Sequence, residues 1–396
     1  MAARDTVFLL TLGLACFASS LGARVTDPMV PSIAAEFAAP VTTVALLSTS
    51  YALPYGLCQP ILGPLGDTFG KSAVLKVCVA LMALMIGLGA VAGSLNLLFA
   101  SRVAAGIAAG GVIPLALAML GDRFALDRRQ IAIGRLMAVT LIGQIAGVTT
   151  AGVLADAAGW RVAIGVTAGI AGAAALGTVL LLPRNGPETR PRFDLGTTFG
   201  RYGIIFRNPR AYICYGGVFA EGLSIYGVLP YIAEMLRSQS AGGPSEAGFI
   251  IAGIGVGGIL FSVLAGRILG TIGPFGAMRL GGVLVGLGLA GFGFAANWRV
   301  GMACFTAIGL GFFMLHSTLQ NRATELAPTA RGSAVALHAF FFFSGQAIAP
   351  ALFGPAYHRF GAAPSLFACA LAMAATGFVA AWLLHGVDRR EAERAA

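Results

Sequence analysis

Apolar residues along this chain gather into long runs separated by short polar breaks, near 6–36, 41–63, 72–93, 95–121, 131–155, 161–183, 211–236, 246–268, 276–296, 299–322, 333–356 and 362–385. A helix rises 1.5 Å per residue, so about 20 apolar residues cross the roughly 30 Å of hydrocarbon in a bilayer. The pattern therefore predicts an all-α membrane protein of about twelve spanning helices. The first run follows Arg4 as a signal peptide would, but Leu21 occupies the small-residue position of a cleavage site and hydrophobicity resumes within two turns. It is read as the first span.

Composition agrees. Of 396 residues, 57% are hydrophobic and 11% charged, against the quarter or so of charged residues usual in soluble domains. The net charge of +10 is distributed unevenly: alternate loops hold residues such as Lys71, Lys76, Arg123, Arg128, Arg129 and Arg207, while the others hold only Arg161, Arg237, Arg299 and Arg359. The positive-inside bias predicts both termini in the cytoplasm and an inner-membrane location. Anionic lipid accounts for the charge, with no need of nucleic acid. The cysteines (Cys16, Cys58, Cys78, Cys214, Cys304 and Cys369) stand singly in apolar runs, without C-x-x-C spacing or a nearby His. They read as core residues; no metal site and no cofactor is expected. Neither a P-loop nor a nucleophile–base spacing is present, so the chain reads as a gradient-driven carrier rather than an enzyme.

The chain repeats at an offset of about 200 residues. VPSIAAEF (30–37) resembles LPYIAEML (229–236), Gly106 matches Gly309, Arg128 matches Arg331, and Gly143-Gln144 matches Gly345-Gln346. This predicts two six-helix bundles, 1–183 and 211–396, joined by a polar cytoplasmic linker at 184–210. The chain is taken as a monomer in the lipid bilayer.

Two motifs carry a resemblance. GPLGDTFGK supplies Gly63, Asp67, Gly70 and Lys71, and ASRVAAGIAAGG supplies Arg102, Gly106 and Gly110. With the repeat, they make the chain similar to the major facilitator superfamily, and within it to the twelve-span drug:proton antiporters. The resemblance implies an efflux antiporter that exchanges protons for small hydrophobic or amphipathic compounds by alternating access. It also implies a cytoplasmic latch built on the loop motif, with Lys71 paired to an acid such as Asp122 and Arg128 nearby. One departure concerns direction: where antiporters carry G-P-x-x-G-G, this chain reads GVTTAG at 147–152, with Val148 in the proline's place. In the second half the counterpart of Asp67 is Gly270, so the latch is expected on one side only.

Charges inside the spans point to function, because each costs about 2.5–3.5 kcal/mol on insertion scales. Arg24 and Asp27 lie three apart, hence on one helix face. Pro28 and Pro31 lack N–H groups, which should free the carbonyls of Arg24 and Asp27. Polar backbone and side chains at one level imply a water-filled cavity. Asp27, Glu221 and Arg102 are the candidate proton-coupling residues, with Arg102 expected to face Asp27. Asp27 is expected to rest ionised beside its arginines, and Glu221, with no basic neighbour in sequence, protonated. Arg24, Tyr51, Tyr55, Gln59, Gln144, His316, Gln320, His338 and Gln346 are candidate substrate contacts, although the tyrosine stripe and the histidines also fit ordinary helix packing. Because Arg24 and Arg102 balance the two buried acids, an uptake or exchange carrier for a small anion or metabolite stays open beside the exporter. So does a non-transporting receptor, which would gain nothing from the buried charges.

Overall fold

A computed structural model describes residues 3–183, 195–327 and 330–395. Ten of its helices are long and apolar enough to span a membrane. One of them, Pro244–Phe292, turns at Gly273, where φ is 68° and Pro274 follows, and so is two spans. Val41–Phe69, 29 residues long, is a further apolar helix. The described residues thus hold the expected twelve spans. The linker forms an amphipathic helix at Leu195–Phe206; its residues 184–194 lie outside the described ones.

The helices are α1 (Ala3–Ala23), α2 (Val30–Glu36), α3 (Val41–Phe69), α4 (Lys71–Ala90), α5 (Leu95–Ala109), α6 (Val112–Arg123), α7 (Leu126–Ala158), α8 (Trp160–Leu181), α9 (Leu195–Phe206), α10 (Arg210–Tyr226), α11 (Ile232–Ser238), α12 (Pro244–Phe292), α13 (Trp298–Glu325), α14 (Arg331–Phe360) and α15 (Ala362–Ala395). They form two compact units. The first comprises the described residues up to 183 with Pro230–Phe249, and the second those from 195 to Leu229 with Ile250 onward.

In the first unit α1 packs on α7 and α8, and α5 on α3 and α4. Residues 230–249 join it through Arg237, which donates to Ser32 Oγ at 3.2 Å, and through the Ser245 N–H, which donates to Asp156 at 2.8 Å. Close approach depends on glycine. A Cβ on Gly106 or Gly110 would run into the carbonyl oxygens of Tyr51 and Tyr55, and one on Gly143 into that of Phe17. Gly106→Val is therefore expected to lower thermal stability by about 1–3 kcal/mol, as overpacking of a close contact does. An unchanged melting temperature in detergent would refute that role.

In the second unit α10 packs on α14, α15 and α13, and the same device recurs: a Cβ on Gly345 would strike the carbonyl of Phe219. The first run of each repeat is not one straight helix. α1 stops at Ala23 and a 3-10 turn at Asp27–Met29 leads into α2; α10 stops at Tyr226 and a 3-10 turn at Leu229–Tyr231 leads into α11. The fourth run also breaks, between α5 and α6 at Gly110-Gly111, because Pro114 has no N–H for the Gly110 carbonyl.

Candidate functional site

Each unit holds its own buried polar cluster. In the first, the chain leaves α1 as a turn over Arg24, Val25 and Thr26, which puts Arg24 Nη1 3.5 Å from Asp27 Oδ2. The freed-carbonyl expectation is corrected here. The Arg24 carbonyl accepts from the Asp27 N–H at 3.2 Å, so the 3-10 turn reuses one of the two carbonyls that an α-helix would have lost to the prolines, and a second bond, from the Met29 N–H to the Thr26 carbonyl at 3.0 Å, continues the turn.

Asp27 is fully buried, Arg24 and Arg102 nearly so. Ser48 donates to Asp27 Oδ1. Arg102 reaches over from α5 but does not bond Asp27 directly: Nη1 donates to the Gly22 carbonyl at 2.9 Å and Nη2 to that of Ala23 at 3.0 Å. These are orphan carbonyls at the end of α1, to which a cation is the natural cap. The guanidinium also lies 4.3 Å from the centroid of the Tyr51 ring, a cation–π contact, and Tyr51 stacks on Tyr55 at 6.0 Å. Tyr55 in turn hydrogen-bonds the half-buried Gln59. Gln144 is half-buried on α7. The cluster sets two guanidiniums against one carboxylate, and Arg102 Nε and Thr26 Oγ1 are buried with no partner among the described residues.

The second cluster centres on Glu221, fully buried on α10. His316 of α13 brings Nδ1 to 2.7 Å from Glu221 Oε2, and the His338 ring of α14 lies 4.9 Å from that of His316. Phe312 and Phe342 each stand 4.8 Å from the His316 ring, and Tyr226 meets Phe342 edge-on at 5.5 Å. The 2.7 Å contact needs one hydrogen: either the imidazole N–H donates to a carboxylate, or the carboxylic O–H donates to the imidazole. One proton can thus reside on either side, within a wall of aromatic rings. Glu221 Oε1 and His338 Nε2 are buried without partners among the described residues. Gln346 is buried on α14, whereas Gln320 is exposed and does not join the cluster.

At the loop motif, α3 ends at Gly70 with φ 96°, a conformation that favours glycine, and Lys71 Nζ bonds Asp122 at 2.7 Å. Gly63 and Asp67 lie within α3, and the Asp67 side chain is outside the described residues. Arg128 is exposed. Its neighbour Arg129, not singled out by sequence, bonds the carbonyls of Gly121 and Phe124 where α6 ends. The second unit has an ion cluster of its own, likewise unforeseen: Arg210 bonds Asp388 at 2.7 Å and Glu391 at 2.7 Å, and Arg322 bonds Asp388 at 3.0 Å. The second half is therefore not without ionic contacts despite Gly270. Val148 is buried, and the glycines flanking it keep close contacts, Gly147 with the Leu21 carbonyl and Gly152 with that of Pro244.

Comparison with known proteins bears on what such clusters serve. The model of the Major Facilitator Superfamily matches residues 12–350. The MFS-type transporter YwfA of Bacillus subtilis is 25% identical over 374 residues, 93% of this chain and 90% of its own. The efflux pump dotC of Dothistroma septosporum is 30% identical over 157 residues, 39% of this chain and 27% of the pump. Among solved structures, the nucleoside transporter NupG aligns over 96% of this chain and 99% of its own with a TM-score of 0.76 at 15% identity, a likeness of fold.

Proposed function

The chain belongs to the Major Facilitator Superfamily, a family of membrane transporters rather than enzymes, and from that premise we propose a proton-coupled efflux antiporter for small hydrophobic or amphipathic compounds, working by alternating access. It would sit with the drug:proton antiporters. The observation that carries the reading is the Glu221–His316 contact. A fully buried carboxyl 2.7 Å from an imidazole, walled by Phe312 and Phe342 with the His338 ring beyond, is a place where one proton is held away from bulk water. Its apolar surroundings suit an amphipathic cargo. The efflux pump among the relatives points the same way.

The test is reconstitution of the full chain in proteoliposomes with imposed pH gradients of both signs and a panel of lipophilic dyes. Accumulation against the dye gradient that reverses with the pH gradient supports the antiporter. Dye movement that ignores the pH gradient removes it.

A second reading rests on the first cluster, where two buried guanidiniums, Arg24 and Arg102, stand near one buried carboxylate and suit the recognition of a small anion or metabolite. Under either reading we place the chain in the inner membrane with both ends in the cytoplasm, from the loop charges. Single cysteines near Arg4, Gly186 and Ala395 should then resist an impermeant label in intact cells and react once the membrane is opened. Labelling from outside at any of the three would overturn the topology.

A further inference from the structure

The outer face of the second unit carries a groove of about 320 Å³ between α10 and α15, lined by Tyr212, Gly216 and Ala220 on one side and by Thr376, Val379 and Leu383 on the other. None of these side chains carries a charge. Tyr212 is 64% exposed and Val379 51%, so the groove opens outward from the bundle, where the protein's surroundings are lipid tails. A Cβ on Gly216 would meet nothing within 4 Å, so the missing side chain is part of what makes the groove.

One end is defined by chemistry. Tyr212 lies two residues beyond Arg210, which bonds Asp388 and Glu391 and so ties the two helices together just past Leu383. Phe206 of the amphipathic helix α9 packs on Tyr212 at 5.8 Å, closing the same end. Around this closure stand Arg207 and Arg390, both exposed and engaged in no ion pair among the described residues. Arg390 is two helical turns from Leu383, hence on the groove's own face of α15. An apolar slot that ends in free guanidiniums at an amphipathic helix matches a molecule with a long apolar tail and an anionic head.

We infer that the α10–α15 groove seats one acyl chain of an anionic phospholipid, with its phosphate against Arg207 and Arg390. Guanidinium is suited to this because its planar fork bonds phosphate oxygens in pairs. The bound lipid would hold α9 and the start of α10 to α15 at the membrane surface, supplementing the Arg210 ion cluster. The site is separate from Glu221 and does not depend on what the protein carries.

The experiment is native mass spectrometry of the full chain released from nanodiscs of equal phosphatidylglycerol and phosphatidylcholine, counting retained lipid. Phosphatidylglycerol should be retained over phosphatidylcholine by a factor on the order of ten, given two basic side chains near the surface. Gly216→Leu, which fills the slot, should remove the retained lipid. The double variant Arg207→Gln/Arg390→Gln leaves the helices' packing alone and should keep a lipid but lose the preference. Should Gly216→Leu fail to fold, the double variant alone decides. Equal retention of the two lipids by the unmodified chain, or an unchanged preference in the double variant, overturns the proposal. So does a dimer mass that Gly216→Leu dissociates, since the groove would then seat a second copy.

Discussion

Glu221→Gln is expected to abolish uphill transport while leaving ligand binding measurable. Glutamine has nearly the shape of the protonated glutamate and can still offer His316 Nδ1 a donor across the 2.7 Å contact, so α10 and α13 should keep their packing. What disappears is the ability to give the proton up. The carrier would then let the two sides equilibrate without drawing on the pH gradient, and the pH dependence of exchange should flatten. His316→Ala makes the complementary case. It leaves a fully buried carboxyl without its partner, which costs about 1–3 kcal/mol of stability, and it should shift the pH profile of transport rather than erase it. His316→Gln, which restores a hydrogen-bonding group, should recover stability but not the profile. Measured by proton-driven accumulation in proteoliposomes, wild-type coupling in Glu221→Gln would take the proton away from this pair altogether.

How far these clusters could be read from sequence follows the distance along the chain between their members. Arg24 and Asp27 are three residues apart, so helical geometry alone joins them, and the prolines beside them announce the break in the helix. Lys71 and Asp122 are 51 apart, yet the glycine spacing of the loop motif and its resemblance to a known family join them too. Glu221 and His316, 95 apart, are joined only by how α10 meets α13. Both were legible as suspicious, one a charge and the other a titratable ring in an apolar run, but nothing local pairs them. Arg210 with Asp388, 178 apart, was illegible for a second reason. Charges at helix ends look like ordinary surface residues, and whether they meet depends on where two helices end relative to each other. The helix breaks, by contrast, were legible locally. Prolines mark 28, 31 and 114, and the turn at Gly273 in Pro244–Phe292 falls in the gap between the apolar runs 246–268 and 276–296. Arg102 lies within electrostatic reach of Asp27, but its hydrogen bonds go to the end of α1, because the end of a helix exposes carbonyls that sequence patterns do not show.

The first cluster separates the exporter from the anion carrier. In a proton-driven exporter of amphipathic cations, Asp27 attracts the cargo, so Asp27→Asn should weaken cation binding at least tenfold, about 1.4 kcal/mol, and leave anions unbound. In an anion carrier the roles invert. The guanidiniums bind the cargo and Asp27 opposes it, so Asp27→Asn should be tolerated or improve binding, whereas Arg24→Ala should abolish it. Arg102 needs care, because its truncation orphans the Gly22 and Ala23 carbonyls as well as removing charge. Arg102→Lys is the better probe: it keeps the charge and the Tyr51 contact but cannot serve both carbonyls with the same planar fork. A carrier that uses Arg102 for its charge should retain binding in Arg102→Lys. One that uses it to fix the end of α1 should lose stability there, seen as a lower melting temperature with binding per folded molecule unchanged. Isothermal titration of a lipophilic cation and of a small carboxylate against the unmodified chain, Asp27→Asn, Arg24→Ala and Arg102→Lys distinguishes these outcomes. If Asp27→Asn and Arg24→Ala both bind the two ligands as the unmodified chain does, the cluster is a structural ion pair at a helix break and neither reading of it stands.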